Sequence, residues 1–129
     1  IETLIRVSDE CFACTNEQLI KRVLKISPTL GMHACRNHKG RLFSDVMNHT
    51  STPHLLEHMV IDGQTHRTKD EARVFTGTTQ WTSEDGLVAQ VVFSYEDDLV
   101  ALGVLDQCVK TLNDILLDVT KTACEQHSL

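Results

Sequence analysis

The sequence lacks a long apolar run, and it has no excess of basic residues. Its longest apolar stretches, such as residues 99–105, are far shorter than the roughly 20 residues that span a bilayer, and no signal segment opens the chain. We therefore expect a cytoplasmic protein without a membrane partner. The 18 acidic residues outnumber the 12 basic ones, for a net charge of -6. Nucleic acid is not an expected partner, because phosphate binding requires clustered lysine and arginine.

Cysteine is present in an odd number, and its pattern does not indicate a disulfide framework. Five cysteines in a chain without a secretion signal favour reduced thiols. Cys11 and Cys14 could form a redox pair, or a structural metal site completed by His33 and Cys35, although two unpaired thiols are the simpler interpretation. Cys35 and Cys108 are expected to be small core residues.

The apolar pattern predicts one α+β domain over residues 1–129. The expected order of elements is β-α-β-α-β-β-α, with helices packed on one face of a mostly antiparallel sheet. "ETLIRV" indicates a first strand, and short extended pieces are expected around "LGMHAC" and "GRLFSDV". "RVFTGTTQW" and "LVAQVVFSYE" predict an antiparallel hairpin, since the connection "TSEDG" is rich in turn-forming residues.

Three helices are predicted from their end signals and apolar spacing. Thr15 and Gln18 form a T-x-x-Q capping box for the first helix, which should end near Pro28. The second helix should begin with Thr52 as its N-cap and stop at Gly63. The third follows from apolar residues that recur at helical spacing: Ala101, Val104, Leu105, Cys108, Leu112, Ile115, Leu116 and Val119.

The second helix carries the stretch "HLLEH", in which His54, Glu57 and His58 share one helical face. Two imidazoles at this spacing can bind one zinc ion, and a neighbouring glutamate can accept a proton from the water that zinc activates. In the order H-x-x-E-H, the motif is the inverted form of the usual zinc-peptidase signature. The alternative interpretation is a solvated polar face of an amphipathic helix.

A catalytic zinc ion needs a third protein ligand, which the motif does not contain. We expect Asp98 to supply it, with Glu96 as the alternative, because a carboxylate at the start of the last helix could point back across the sheet. His49 is a candidate to support the metal ligands, since it lies close to the motif in sequence. His33 and His66 are expected to be solvated.

The sequence around the motif resembles the N-terminal domain of cyanophycin synthetases, which make a polymer with an aspartate backbone and arginine side chains. The similarity begins at "LGMHAC", where His33 and Cys35 match a His-x-Cys element, and continues through "GRLFSDV". It is closest at "TSTPHLLEHMVIDGQ" and returns at "GTTQW" and "FSYEDDLVALGVLDQCVKTLNDIL". It covers roughly residues 19–117. One departure is Asp62-Gly63-Gln64, where the family usually has Glu-Leu-Gln, and this is expected to shorten the helix.

The resemblance implies a role in handling that polymer. In those synthetases the N-terminal domain holds the growing chain, while ATP-grasp and Mur-ligase-like domains extend it. Some members also resemble pitrilysin-type zinc peptidases and can cut the polymer. On this comparison His54 and His58 would be zinc ligands, Glu57 would be the general base, and Asp98 would stand where the family has an acidic residue. The expected partner is an arginine-rich or other basic peptide polymer, which an acidic domain would suit.

Two functional hypotheses follow. The first is a zinc-dependent hydrolase that acts on or holds a cyanophycin-like polymer, with Glu57 as the catalytic residue. The second is a non-catalytic polymer-binding or peptide-binding module, or a fragment of a larger ATP-dependent cyanophycin synthetase-like ligase. Ligase activity would require domains that these 129 residues do not contain. Ligase domains or a homo-oligomer could accompany the domain.

Overall fold

Three strands form one antiparallel sheet in the computed structural model, which describes residues 1–82 and 86–127, with side chains to residue 119. The strands are β1 (Glu2–Arg6), β2 (Gly77–Trp81) and β3 (Val88–Phe93). The sheet order is β1-β3-β2, so the hairpin places β3 in the centre. The first strand and the hairpin are therefore confirmed.

The sheet buries one face, as the alternation in β3 predicts. Ala89, Val91 and Phe93 are buried, while the residues between them are half-buried. In the described residues, the three α-helices are α1 (Glu17–Ile26), α2 (Thr52–Arg67) and α3 (Asp98–His127). Helix α2 packs on β2 and β3, and α3 packs on α1 and α2. The α+β fold with helices on one face of an antiparallel sheet is confirmed.

The long helix α3 completes the core. Its apolar stripe packs against α1 and α2 because residues three and four apart fall on the same side of the helix. Within the described part of the chain, no helix combines the length and the apolar character needed to cross a membrane. The buried members of the stripe are Ala101, Val104, Leu112, Ile115, Leu116 and Val119.

The predicted N-caps of α1 and α2 are each wrong by one residue. Asn16 caps α1 by accepting a hydrogen bond from the N–H of Leu19, and Ser51 caps α2. Thr15 and Thr52 are instead buried, and their hydroxyls donate to carbonyl groups of other loops. A buried hydroxyl needs a partner, and here the partner lies far away in sequence.

The predicted end of α2 at Gly63 is also wrong, since the helix continues to Arg67. A Cβ atom at Gly63 would lie only 2.6 Å from Cγ1 of Val104. This glycine therefore permits close packing between α2 and α3, and it does not terminate the helix. The expected shortening by Asp62-Gly63-Gln64 does not occur.

The segment between α1 and α2 contains turns where short strands were expected. It forms 3₁₀ turns at Leu30–Met32 and Phe43–Asp45, and a single isolated bridge joins Ala34 to Leu42. The side chain of Asn37 accepts hydrogen bonds from two following backbone N–H groups, which closes a tight loop before a ladder can extend. The loop places the His-x-Cys element against α2.

Candidate functional site

A cleft of about 760 Å³ opens above the middle of α2, a volume typical of ligand sites. His54, Glu57 and His58 of α2 line one side. The His-x-Cys segment and the stretch from Arg73 into β2 line the others. The three motif residues therefore face a cavity inside the domain, and the alternative of a solvated helix face is wrong: Glu57 and His58 are only 4% and 2% exposed.

Cys35 joins the two motif histidines in a group that could hold a metal ion. One ligand atom from each of Cys35, His54 and His58 lies within 4.8 Å of the others. The Sγ atom of Cys35 is 3.5 Å from Nε2 of His54. In tetrahedral zinc coordination, with Zn–S of about 2.3 Å and Zn–N of about 2.0 Å, such a pair would be separated by about 3.5 Å. The donor set and the distance from Cys35 to His54 fit zinc.

The two histidine rings are held by contacts outside the motif. Phe43 stacks on His58 with 4.0 Å between ring centroids and meets His54 edge-on at 5.1 Å. Oγ1 of Thr50 lies 2.9 Å from Nδ1 of His54, which leaves Nε2 directed at Cys35. These contacts restrict both rings before any metal binds.

Glu57 is enclosed between α2 and β2. Its Oε1 accepts a hydrogen bond of 2.7 Å from the hydroxyl of Thr79, and its Oε2 lies 3.7 Å from Nε2 of His58. Gly77 makes room for it, because a Cβ there would lie 2.9 Å from Cγ of Glu57. Burial raises the pKa of the Glu57 carboxyl, and the Thr79 hydrogen bond opposes that rise only in part.

Burial also sets the protonation of the three possible metal ligands. It lowers the pKa of His58 to about 3, with smaller contributions from His54 and His33, and it lowers the pKa of His54 as well. Both imidazoles are therefore neutral at pH 7 and can offer a lone pair. Burial raises the pKa of the Cys35 thiol, so zinc binding would release its proton.

The structure places the predicted third ligands outside this group. Asp98 is exposed at the start of α3, where its Oδ1 accepts a hydrogen bond from the N–H of Leu99. Glu96 accepts a hydrogen bond from the hydroxyl of Thr68, at 3.1 Å. Among the described residues, Cys35 is the third member of the group with His54 and His58.

The structure shows no support of the metal ligands by His49. The predicted metal site of Cys11, Cys14, His33 and Cys35 does not form among the described residues. Nδ1 of His49 lies 3.6 Å from Sγ of Cys14, and both residues are exposed. Cys35 belongs to the group around His54. The fold separates "CFAC" from the His-x-Cys element, and no metal-capable group that includes Cys11 or Cys14 occurs in the described chain.

Sequence reasoning missed two residues of the site. Cys35 is buried, as expected of a small core residue, but its thiol faces His54. His33 was expected to be solvated, yet its ring contacts both His58 and Asp62. The His-x-Cys spacing was the available signal, because it set these two side chains apart from the other cysteines and histidines.

The whole site falls inside a region that matches a known family. A family model described as cyanophycin synthase-like N-terminal domain matches residues 5–117. No curated protein and no solved structure gives a significant match to this chain. The matched region contains both the H-x-x-E-H and the His-x-Cys elements and spans far more than half of the sequence. The chain therefore belongs to the family of cyanophycin synthase-like N-terminal domains.

Proposed function

We propose that this domain handles an arginine-rich aspartate polymer for a cyanophycin synthase-like enzyme and holds a zinc ion at Cys35, His54 and His58. Family membership supports the first part, since it relates the chain to a polymer-synthesising enzyme. The zinc site is supported by one observation: a thiol and two neutral imidazoles at the wall of a cleft have ligand atoms within 4.8 Å of one another. In this proposal, ligase domains carry out the ATP-dependent extension of the polymer.

Zinc-dependent hydrolysis of the polymer is the second, finer proposal, and Glu57 is the residue that favours it. Bound zinc would polarise an amide carbonyl and make water more acidic. Glu57, with its raised pKa, would accept a proton from the attacking water and donate it to the leaving nitrogen. Thr79 would orient the carboxylate through Oε1. The likeness to pitrilysin-type peptidases and a ligand role for Asp98 or Glu96 stay predictions.

The charge distribution bears on how a polymer would bind. The net charge of -6 suits a cationic chain, but the cleft itself is lined by Arg36 and Arg73 as well as by Glu57. An arginine-rich polymer would therefore be attracted by the acidic surface as a whole. The two cleft arginines suit free carboxylate groups that such a polymer carries.

Zinc content tests the metal proposal. Purified wild type, Cys35→Ser and His58→Ala would be supplied with zinc, dialysed, and assayed for zinc per chain. We expect about one ion in the wild type and none in either variant. Cys14→Ser is the matched control, because that thiol is exposed next to His49, and it should retain the metal. A wild type that binds no zinc would refute the metal site.

Incubation with the polymer separates binding from hydrolysis. Zinc-loaded wild type and Glu57→Gln would be mixed with an arginine-rich aspartate polymer, and both chain length and bound polymer would be measured. Shortening by the wild type alone supports hydrolysis. Binding by both proteins with intact polymer supports a non-catalytic module or a part of a larger ligase. Absence of binding would contradict both.

A further inference from the structure

The buried carboxylate of Asp62 lies one turn beyond His58 on α2 and has no part in the proposed chemistry. It is only 3% exposed. Its Oδ1 accepts a hydrogen bond of 2.9 Å from the hydroxyl of Thr29 and lies 3.1 Å from Nε2 of His33. Its Oδ2 lies 3.4 Å from Nδ1 of His66. A buried carboxylate with this many partners has a defined orientation.

His33 connects this carboxylate to the proposed metal group. While its Nε2 faces Asp62, its Nδ1 lies 3.2 Å from Nδ1 of His58. The two rings are tilted by 39° with centroids 5.4 Å apart. Asp62, His33 and His58 therefore form a continuous chain of hydrogen-bonding atoms that ends at a candidate ligand.

The protons in this chain can be assigned from its ends. An ionised carboxylate only accepts hydrogen bonds, so Nε2 of His33 must carry the proton that faces Asp62. When that proton is the single ring proton of His33, its Nδ1 is an acceptor, and the proton between the two rings then belongs to Nδ1 of His58. Nε2 of His58 is left with its lone pair on the side of Glu57, at 3.7 Å.

The opposite arrangement is disfavoured by the contact with Asp62. It would turn a lone pair of His33 toward the carboxylate of Asp62 at 3.1 Å. Two acceptors would then face each other in a buried position.

The other motif histidine has no such constraint. Nδ1 of His54 is paired with the hydroxyl of Thr50, and a hydroxyl can either donate or accept. Thr50 therefore orients the His54 ring without deciding which nitrogen holds its proton. The carboxylate distinguishes His58 from His54.

We propose that Asp62 and His33 are positioning residues, which hold His58 in the form protonated at Nδ1 and present its Nε2 to the metal. The consequence for zinc rests on the proposed function, whereas the protonation pattern belongs to the metal-free protein. Carboxylate partners that orient a ligating imidazole commonly change metal affinity by about 10–100-fold.

Ring-nitrogen NMR of the metal-free wild type at neutral pH tests the assignment directly. With ¹⁵N-labelled histidine, we expect His58 to be protonated at Nδ1 and His33 at Nε2. Asp62→Asn should give a mixture of both forms at His58, because an amide can present either an acceptor or a donor to His33. Asp106→Asn removes an exposed carboxylate that pairs with Lys110 and should leave the pattern unchanged. A wild type protonated at Nε2 of His58 would overturn the proposal, even if no variant folds.

Zinc affinity supplies the second measurement. Asp62→Asn and His33→Phe should bind zinc about 10–100-fold more weakly than the wild type and Asp106→Asn. His33→Gln should recover part of the affinity lost in His33→Phe, because its side-chain oxygen can accept the Nδ1 proton of His58. Equal affinities in all five proteins would overturn the positioning role while leaving the zinc site intact. If no protein binds zinc, the proposed metal site fails, and the NMR result still decides the protonation pattern.

Discussion

Helices α2 and α3 pack against each other, but they differ in how much of their surface is buried and in how many polar residues are buried. Helix α3 has one apolar stripe, and residues such as Leu102 on its other sides are exposed. Helix α2 has buried residues on every side, and four of them are polar beyond its first turn: Glu57, His58, Asp62 and Gln64. Burying polar groups is costly unless each finds a partner, so α2 can lie at the centre only because surrounding elements supply those partners.

The difference reflects two roles: α3 mainly packs the core, whereas α2 also provides the side chains of the candidate site. The stripe of α3 contributes buried apolar area, whereas side chains such as Leu102 elsewhere on α3 are exposed and contribute little burial. Gln64 in α2 donates to the carbonyl of Ser94, while Glu57 and Asp62 accept from threonine hydroxyls on other elements. Substitutions in the two helices should therefore have effects of different size and different kind.

The largest expected effect comes from the apolar part of α2. Leu55 is fully buried, so Leu55→Ala should lower the free energy of unfolding by about 2–5 kcal/mol. Leu102→Ala in α3 is the matched control, and it should stay within about 0.5 kcal/mol of wild type. Urea denaturation followed by circular dichroism gives both values. Similar losses in both variants would contradict the difference between the helices.

Contact between the two helices gives the next prediction. Gly63→Ala would place a Cβ 2.6 Å from Cγ1 of Val104, and such overpacking should cost about 1–3 kcal/mol of unfolding free energy. The double variant Gly63→Ala/Val104→Ala removes the clash. A double-mutant cycle should therefore show a favourable coupling of about 1 kcal/mol. Additive effects would show that α2 and α3 do not meet at this point.

Acid sensitivity is a property that the buried histidine of α2 should confer. The pKa of His58 in the fold is about 3, below its ordinary 6.5, so the unfolded chain binds a proton more readily. This contribution to stability is complete above about pH 6.5 and is lost as the pH falls toward 3. The loss approaches 1.4 kcal/mol per pH unit, or about 2 kcal/mol between pH 6.5 and 5.

Comparison with His58→Gln isolates that contribution. The variant cannot be protonated there, so its unfolding free energy should fall less steeply between pH 6.5 and 5 than that of the metal-free wild type. Urea denaturation at several pH values with a chelator present measures both slopes. Equal slopes would mean that His58 does not titrate as a buried neutral imidazole.

The smallest expected effect belongs to α3. A Cβ at Gly103 would meet nothing within 4 Å, and this glycine is exposed inside a helix. Gly103→Ala should therefore raise the unfolding free energy by up to about 1 kcal/mol. The same substitution at Gly63 should act in the opposite direction. A thermal melt of the two single variants beside wild type checks the opposite signs.

Local patterns predicted much of the fold. The hairpin and the last helix followed from apolar periodicity, and the structure confirms both. The three wrong predictions of helix ends share one cause. Thr15, Thr52 and Gly63 are residue types that commonly mark helix ends. Here the two hydroxyls donate hydrogen bonds to carbonyl groups that are distant in sequence, and Gly63 makes room for a side chain of α3. A local signal cannot reveal a partner that is remote in sequence.

The candidate site divides in the same way. His54, Glu57 and His58 lie on one side of α2 because of their spacing within one helix, so the motif alone predicts that these three side chains lie together. The cleft that they face, the approach of Cys35 and the link from His58 through His33 to Asp62 arise from tertiary packing. Helical geometry repeats every few residues, so a short stretch of sequence is enough to predict which side chains share a face. The approach of a loop to a helix depends on the packing of the whole core.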